Sequence, residues 1–92
     1  MHFVYVLYSL KDNHLYKGST SHIQKRLLKH NSGGSKSTAH RKPFVIVHIE
    51  QFEKKSDALK RELYLKTIEG GSKLINFLKS QKILNNDGKL NL

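Results

Sequence analysis

The chain opens on a run with no position set aside for water. In residues 2–9, His-Phe-Val-Tyr-Val-Leu-Tyr-Ser, β-branched and aromatic residues dominate and both alternating faces are apolar. That pattern predicts a strand covered on both sides, and therefore a central one. Lys11-Asp12-Asn13 is turn chemistry, because Asp and Asn bond their own backbone and tolerate left-handed conformations. Leu15-Tyr16-Lys17 returns as a second strand and completes a hairpin that Gly18 ends. A helical period takes over from Ser21 to His30, where Ser21 and Gln24 read as a capping box. Asn31-Ser32-Gly33-Gly34 stops this helix, and residues 33–42 form a polar loop. Pro43 to Glu50 reads as a third strand. Ser56 is expected to cap a second helix that runs to about Ile68 and is broken by Gly70-Gly71. A last helix of roughly ten residues begins near Ser72 and carries Leu74, Ile75, Phe77 and Leu78.

The order β-β-α-β-α-α, with its adjacent hairpin strands, predicts a small α+β domain: a three-stranded antiparallel sheet flanked by helices. Residues 1–84 make that single domain, and 85–92 a loosely ordered tail. A chain of 92 residues has room for one thin core and no second lobe. The absence of Cys excludes a disulfide scaffold and any thiolate zinc site. No apolar stretch is long enough for a membrane span, and no apolar run follows a basic segment at the N-terminus, so a soluble cytoplasmic domain is expected.

Charge narrows the partners. Seventeen Lys and Arg stand against seven Asp and Glu, a formal net charge of +10. From Asn13 to Ile49 there are seven basic residues (Lys17, Lys25, Arg26, Lys29, Lys36, Arg41, Lys42) and no acidic one. A one-sided segment of this kind attracts phosphates and points to nucleic acid, with binding that falls steeply with salt. A solvated basic face without a specific partner is the plainer alternative. No segment pairs a basic face with exposed aromatic residues, so a membrane surface is not indicated.

A few residues fit a plain core poorly. On the second helix Ala58, Leu59, Leu63 and Leu65 define an apolar arc at 100° per residue, and Glu62 falls inside it. A carboxylate aimed at a core or cleft must be paired, protonated or metal-bound. An i,i+4 bridge from a partly exposed Glu62 to Lys66 would serve equally well. On the first helix Arg26 and His30 are neighbours four residues apart. Together they could clamp a phosphate or move a proton; alternatively Arg26 is solvated and His30 favours the negative helix end. Tyr5 and Tyr16 lie on the two strands of the hairpin, where tyrosines usually pack. The six histidines recur at intervals that match no helical ligand pair and no short zinc motif.

Taken together these residues resemble the GIY-YIG nuclease superfamily. The half-motifs stand as Phe3-Val4-Tyr5 and Tyr16-Lys17-Gly18, followed by Ser19-Thr20, the helix with Arg26 and His30, then Asn31-Ser32-Gly33. Ser37-Thr38-Ala39-His40-Arg41-Lys42-Pro43 leads into the third strand, and Ala58 to Lys66 looks like the family's glutamate helix. Phe3, Val4 and Lys17 depart from the eponymous triplets. The likeness covers residues 2 to about 78 and is closest to short stand-alone bacterial members, relatives of the UvrC N-terminal nuclease domain and of homing-endonuclease catalytic domains. It implies metal-dependent hydrolysis of DNA phosphodiesters to 5′-phosphate and 3′-hydroxyl ends, in repair or recombination. Glu62 would be the sole protein ligand to Mg²⁺ (or Mn²⁺), Arg26 would hold a non-bridging oxygen, and Tyr5 would accept the proton of the attacking water. Tyr16 would position that water or the phosphate, and His30 would relay a proton or bind phosphate. Lys17, Lys25, Lys29, Lys36, His40, Arg41 and Lys42 would form the DNA track; Gly18 and Asn76 are further candidates for the site. A non-catalytic nucleic-acid-binding module of the same fold and a docking domain for an acidic protein are the competing readings. With no separate recognition domain, specificity is expected from loops, a homo-oligomer or a protein partner.

Overall fold

The computed structural model describes residues 1–91; Leu92 lies outside the described residues. Strands β1 (His2–Ser9), β2 (Leu15–Thr20) and β3 (Phe44–Phe52) form one antiparallel sheet in the order β2-β1-β3. Helices α1 (Ile23–Asn31), α2 (Lys55–Leu65) and α3 (Ile68–Ser80) complete the expected α+β order, and a 3-10 turn at Ala39–Arg41 precedes β3.

β1 is central because it is apolar twice over. Val4, Val6 and Tyr8 face one side and pack with Ala58 and Leu65 of α2, Leu74 and Leu78 of α3, and Leu84 beyond it. Tyr5 and Leu7 face the other side, where Phe44 and the α1 residues Ile23 and Leu27 cover them. Burying each large side chain contributes roughly 1.5–3 kcal/mol, so the broader α2–α3 cluster supplies most of the stability. The thinner α1 layer is where polar groups are buried: His30 and Thr38. In β3 the register slips between Val6, which faces His48, and Leu7, which faces Ile46. The extra residue inverts the strand's alternation. Val45 and Val47 face the α2–α3 layer before the slip, and Phe52 does so after it.

Several boundaries differ from the sequence reading. β2 does not end at Gly18 but runs through it to Thr20. Gly18 faces Tyr5 across the ladder, and a Cβ there would run into the Tyr5 ring and hydroxyl; this glycine lets a ring lie over the backbone. The Ser21–Gln24 capping box does not form, because α1 starts at Ile23 and Thr20 Oγ1 accepts the His22 N–H at 3.1 Å. Ser56 lies inside α2, which ends at Leu65. Gly70-Gly71 breaks nothing. Both glycines sit in the first turn of α3, where the Thr67 side chain accepts the Gly70 N–H at 3.0 Å. A Cβ at Gly70 would collide with the Tyr64 carbonyl, so the glycine allows α3 to fold back closely on α2. The apolar arc of α2 is rotated too: Ala58 and Leu65 are buried, whereas Leu59 and Leu63 are exposed. Beyond α3, Asn85 Oδ1 accepts the N–H groups of Asp87 and Lys89, and Leu84 faces Leu90 across a short antiparallel bridge.

Candidate active site

The candidate residues meet at the rim of the edge strand β2. Alternation along this strand sends Tyr16 and Gly18 to the α1 side of the sheet and Lys17 and Ser19 to the α2 side. The site therefore straddles a sheet edge.

On the α1 side, Tyr5 passes over Gly18 and brings its hydroxyl to 3.0 Å from His30 Nε2. The Tyr16 ring meets the His30 ring edge-on, with centroids 4.9 Å apart, and lies 6.3 Å from the Tyr5 ring. His30 is only 1% exposed, although it sits in the last turn of α1. It is not a solvated cation at a helix end. Burial, with the charges of Arg26 and Lys29, holds its pKa below the usual imidazole range, so the ring is neutral near pH 7. Its Nδ1 lies 2.8 Å from Thr38 Oγ1. The Tyr5 phenol is pushed up to about 12 by burial and by the neighbouring Tyr16; the nearby Arg26 guanidinium pulls the other way.

On the α2 side, Glu62 extends from the line between Ala58 and Leu65, with its side chain 16% exposed. Burial alone would raise its pKa. Hydrogen bonds from Lys66 and Ser19, and the charges of Lys66 and Arg26, outweigh burial and hold the carboxyl below its ordinary value. The i,i+4 bridge anticipated from the sequence is present, with Lys66 Nζ 2.6 Å from Glu62 Oε2. Lys17 is partly buried beside them, and both burial and the Lys66 charge lower its pKa. Arg26 joins the two sides, since its charge acts on Tyr5 and on Glu62. It takes no part in the ion pairs formed among the described residues, which are Arg41–Asp12, His48–Glu50, Arg61–Glu50, Lys66–Glu62 and Lys73–Glu69.

The remaining candidates fall into three groups. Lys25 and Lys29 on α1, and Lys36, His40 and Lys42 in the following loop, lie at or near the surface. Arg41 serves the fold. Its Nε lies 2.5 Å from Asp12 Oδ2 and its Nη2 donates to the Leu15 carbonyl, clamping the loop to the β1–β2 turn. Asn76 is exposed on α3, on the side opposite the Leu74–Leu78 line that packs on the sheet. Sequence reasoning did not single out Ser19, which acts on Glu62, or Thr38, which contacts His30. Ser19 could have been found by alternation from Lys17, whereas nothing local marks a threonine in a polar loop. Among the described residues no three His, Asp or Glu side chains come together as a metal site, and Glu62 is the carboxylate of the cluster.

Known proteins share both the sequence pattern and the fold. A family model described as the GIY-YIG catalytic domain matches residues 1–74. The chain therefore belongs to the GIY-YIG family, a nuclease family. Within it, the chain is similar to small stand-alone UPF0213 proteins. It is 45% identical to one from Staphylococcus saprophyticus over 74 residues, which are 79% of this chain and 89% of that protein. It is 40% identical to one from Clostridium perfringens over 94 aligned positions, covering the whole of both. The solution NMR structure of a UPF0213 protein from Bacillus halodurans superposes with a TM-score of 0.52 at 31% identity, over 91% of this chain and 96% of that one.

Proposed function

We infer that the protein is a metal-dependent DNA endonuclease that hydrolyses phosphodiester bonds to 5′-phosphate and 3′-hydroxyl ends. One observation carries this reading. Two phenols, a buried neutral imidazole, an arginine outside every ion pair among the described residues and a half-buried carboxylate converge on one sheet rim in a member of a nuclease family.

The donor set fits a hard divalent ion. Mg²⁺ keeps several waters and binds through one or two carboxylates plus substrate phosphate, which Glu62 alone can satisfy. An ion that requires three or four protein ligands would not find them among the described residues. Held by Glu62, Mg²⁺ (or Mn²⁺) would polarise the scissile phosphate and steady the leaving 3′ oxygen. Arg26 grips a non-bridging oxygen and offsets the charge gained in the transition state. Tyr5 takes the proton of the attacking water, and Tyr16, on the same side of β2, orients that water against the phosphate. His30 receives the proton that Tyr5 gives up. Lys25, Lys29, Lys36, His40 and Lys42, with Lys17 at the rim, supply the phosphate track.

A small basic surface reads DNA shape more readily than base sequence. Branched, nicked or flapped DNA is therefore the substrate class, in repair or recombination in the cytoplasm, with selectivity sharpened by an oligomer or a protein partner. The ammonium of Lys66 on Glu62 favours a second reading, a DNA-binding module with no cutting activity, because it sits where a divalent ion would bind. Incubation with labelled flaps, nicks, junctions and linear duplexes, with Mg²⁺, Mn²⁺ or chelator, separates the two. The endonuclease reading predicts metal-dependent products with ligatable 5′-phosphates; binding without products under every metal would leave the module.

A further inference from the structure

A row of hydrogen-bonding groups crosses the buried α1 side, and its two ends favour one direction. Tyr5, His30 and Thr38 are 2%, 1% and 0% exposed. Tyr5 Oη lies 3.0 Å from His30 Nε2, His30 Nδ1 lies 2.8 Å from Thr38 Oγ1, and the Thr38 hydroxyl donates to the Ser35 carbonyl at 3.5 Å. A neutral imidazole has one donor nitrogen and one acceptor nitrogen, and hydroxyls can serve as either. The middle of the row can run either way, and its ends bias the choice. The Ser35 carbonyl can only accept, so a Thr38 hydrogen donated to it leaves Oγ1 lone pairs toward His30. At the other end the positive charge of Arg26, a group that can only donate, acts on the Tyr5 hydroxyl and favours an oxygen turned toward it. The Tyr5 hydrogen is then free for His30. Both ends favour the same polarity: Tyr5 O–H to Nε2, Nδ1–H to Thr38, and Thr38 O–H to Ser35.

We propose that Thr38 is a positioning residue: by accepting from Nδ1 it fixes His30 in the Nδ1–H tautomer and keeps the Nε2 lone pair turned to the Tyr5 hydroxyl. The consequence deepens the nuclease reading and rests on it. When Tyr5 Oη takes a proton from the attacking water, its own proton passes along the 3.0 Å contact to Nε2. The water has then lost one proton, His30 has become imidazolium, Tyr5 is neutral again, and Nδ1–H still donates to Thr38. A high phenol pKa is no obstacle to such a step, because Tyr5 never accumulates as phenolate. The loop holding Thr38 is anchored to α1 by a two-point contact: the Asn31 side-chain amide donates to the Phe44 carbonyl at 3.1 Å, and its oxygen accepts the Phe44 N–H at 2.7 Å. The tautomer is thus set by a segment that carries none of the reacting groups.

The test is long-range ¹H–¹⁵N NMR of the histidine rings in the full chain, without DNA or metal, near pH 7.5. The wild type should show His30 neutral with its hydrogen on Nδ1. Thr38→Val, with the hydroxyl removed, should shift His30 wholly or partly to the Nε2–H form, and Thr38→Ser should restore the wild-type pattern. On a cleavable DNA, Thr38→Val should lower kcat by about 10–100-fold with KM little changed, a fraction of what general acid–base groups contribute. An Nε2–H or charged His30 in the wild type overturns the proposal. So does a folded Thr38→Val protein that keeps the Nδ1–H pattern, and Thr38→Ala gives the same decision if the valine variant fails to fold. A protein with the expected tautomer that cuts no DNA would sink the nuclease reading and leave this one intact.

Discussion

The molecule holds two half-buried carboxylates on opposite rims of its sheet, and their surroundings differ in kind. Glu50, on the edge strand β3, is saturated. Arg61 grips both of its oxygens, at 2.8 and 3.0 Å, and His48 adds a third contact at 2.8 Å. The Arg61 guanidinium also lies over the Tyr64 ring. A cavity of about 420 Å³ opens beside this cluster, lined by His48, Glu50, Arg61, Tyr64, Lys73 and Phe77 among others. Its charged groups are nevertheless spent on one another. Glu62, at the rim of β2, has one exposed lysine and a serine hydroxyl, with an arginine nearby that belongs to no ion pair among the described residues. A carboxylate bound on every side holds a fold together, whereas one held by a single exposed ammonium can exchange that partner for a metal ion or a substrate. Cavities of similar size open on both sides, about 420 Å³ beside Glu50 and about 450 Å³ beside Lys17 of β2, so the state of the charges distinguishes the two rims and cavity size does not.

The two arginines give the largest contrast. Arg26→Ala should cost cleavage about 10²–10³-fold, as loss of a charge-stabilising donor does, with the thermal midpoint nearly unchanged. Arg61→Ala should do the reverse, leaving kcat in place and lowering stability, since it strips Glu50 of its main partner. Rates and melting curves on the four proteins made by combining the two changes would show whether the separation holds. Gly18→Ala comes next. It drives a methyl group into the Tyr5 ring, and overpacking of this kind costs about 1–3 kcal/mol, read by denaturant titration with a matching fall in cleavage.

These contrasts bear on how much could be read from residues alone. β1 was legible because both of its faces are apolar, which only a central strand explains. The Glu62 position was legible because Ala58 and Leu65 bracket it at helical spacing. Leu59 and Leu63 misled because apolar side chains near a helix's core line need not be buried. Gly18 and Gly70 misled for a shared reason: each allows a close approach that a Cβ would block, of the Tyr5 ring and of the Tyr64 carbonyl, whereas local rules read a glycine as a stop. The Ser21 cap failed because the preceding strand runs two residues further and α1 starts only at Ile23, with no side chain capping it. Arg41 read as part of a basic track until its tertiary partner, Asp12, was known. Thr38 matters through one contact across the fold, and no local pattern records that.

Smaller effects sharpen the comparison. Lys66→Met should tighten divalent-ion binding at Glu62, measured by Mn²⁺-induced relaxation of nearby resonances. Its stability cost should be only about 0.3–0.5 kcal/mol, the worth of a helical ion pair. A looser ion site in that variant would mean that Lys66 assists the metal instead of competing with it. The two histidine clusters should also separate by pH. The pKa of His30 is depressed in the fold. Its contribution to stability is therefore complete above about 6.5, the unfolded value, and is lost as pH falls below that. Glu50 is also depressed, burial being outweighed by Arg61 and His48, so its contribution is complete above about 4.3 and lost on further acidification. Melting curves from pH 8 to 3 should show two acid-side losses, the first absent in His30→Gln and the second in Glu50→Gln.

The most direct measurement compares Glu62→Gln with Glu50→Gln on a single cleavable DNA in Mg²⁺, with both proteins confirmed folded. The substitution at Glu62 should lower the rate by at least about 10³-fold, several kcal/mol of lost charge stabilisation, while the one at Glu50 leaves it within a few-fold of wild type. Equal cutting by the Glu62 variant, or loss of cutting in the Glu50 variant alone, would contradict the assignment of the site to the rim of β2.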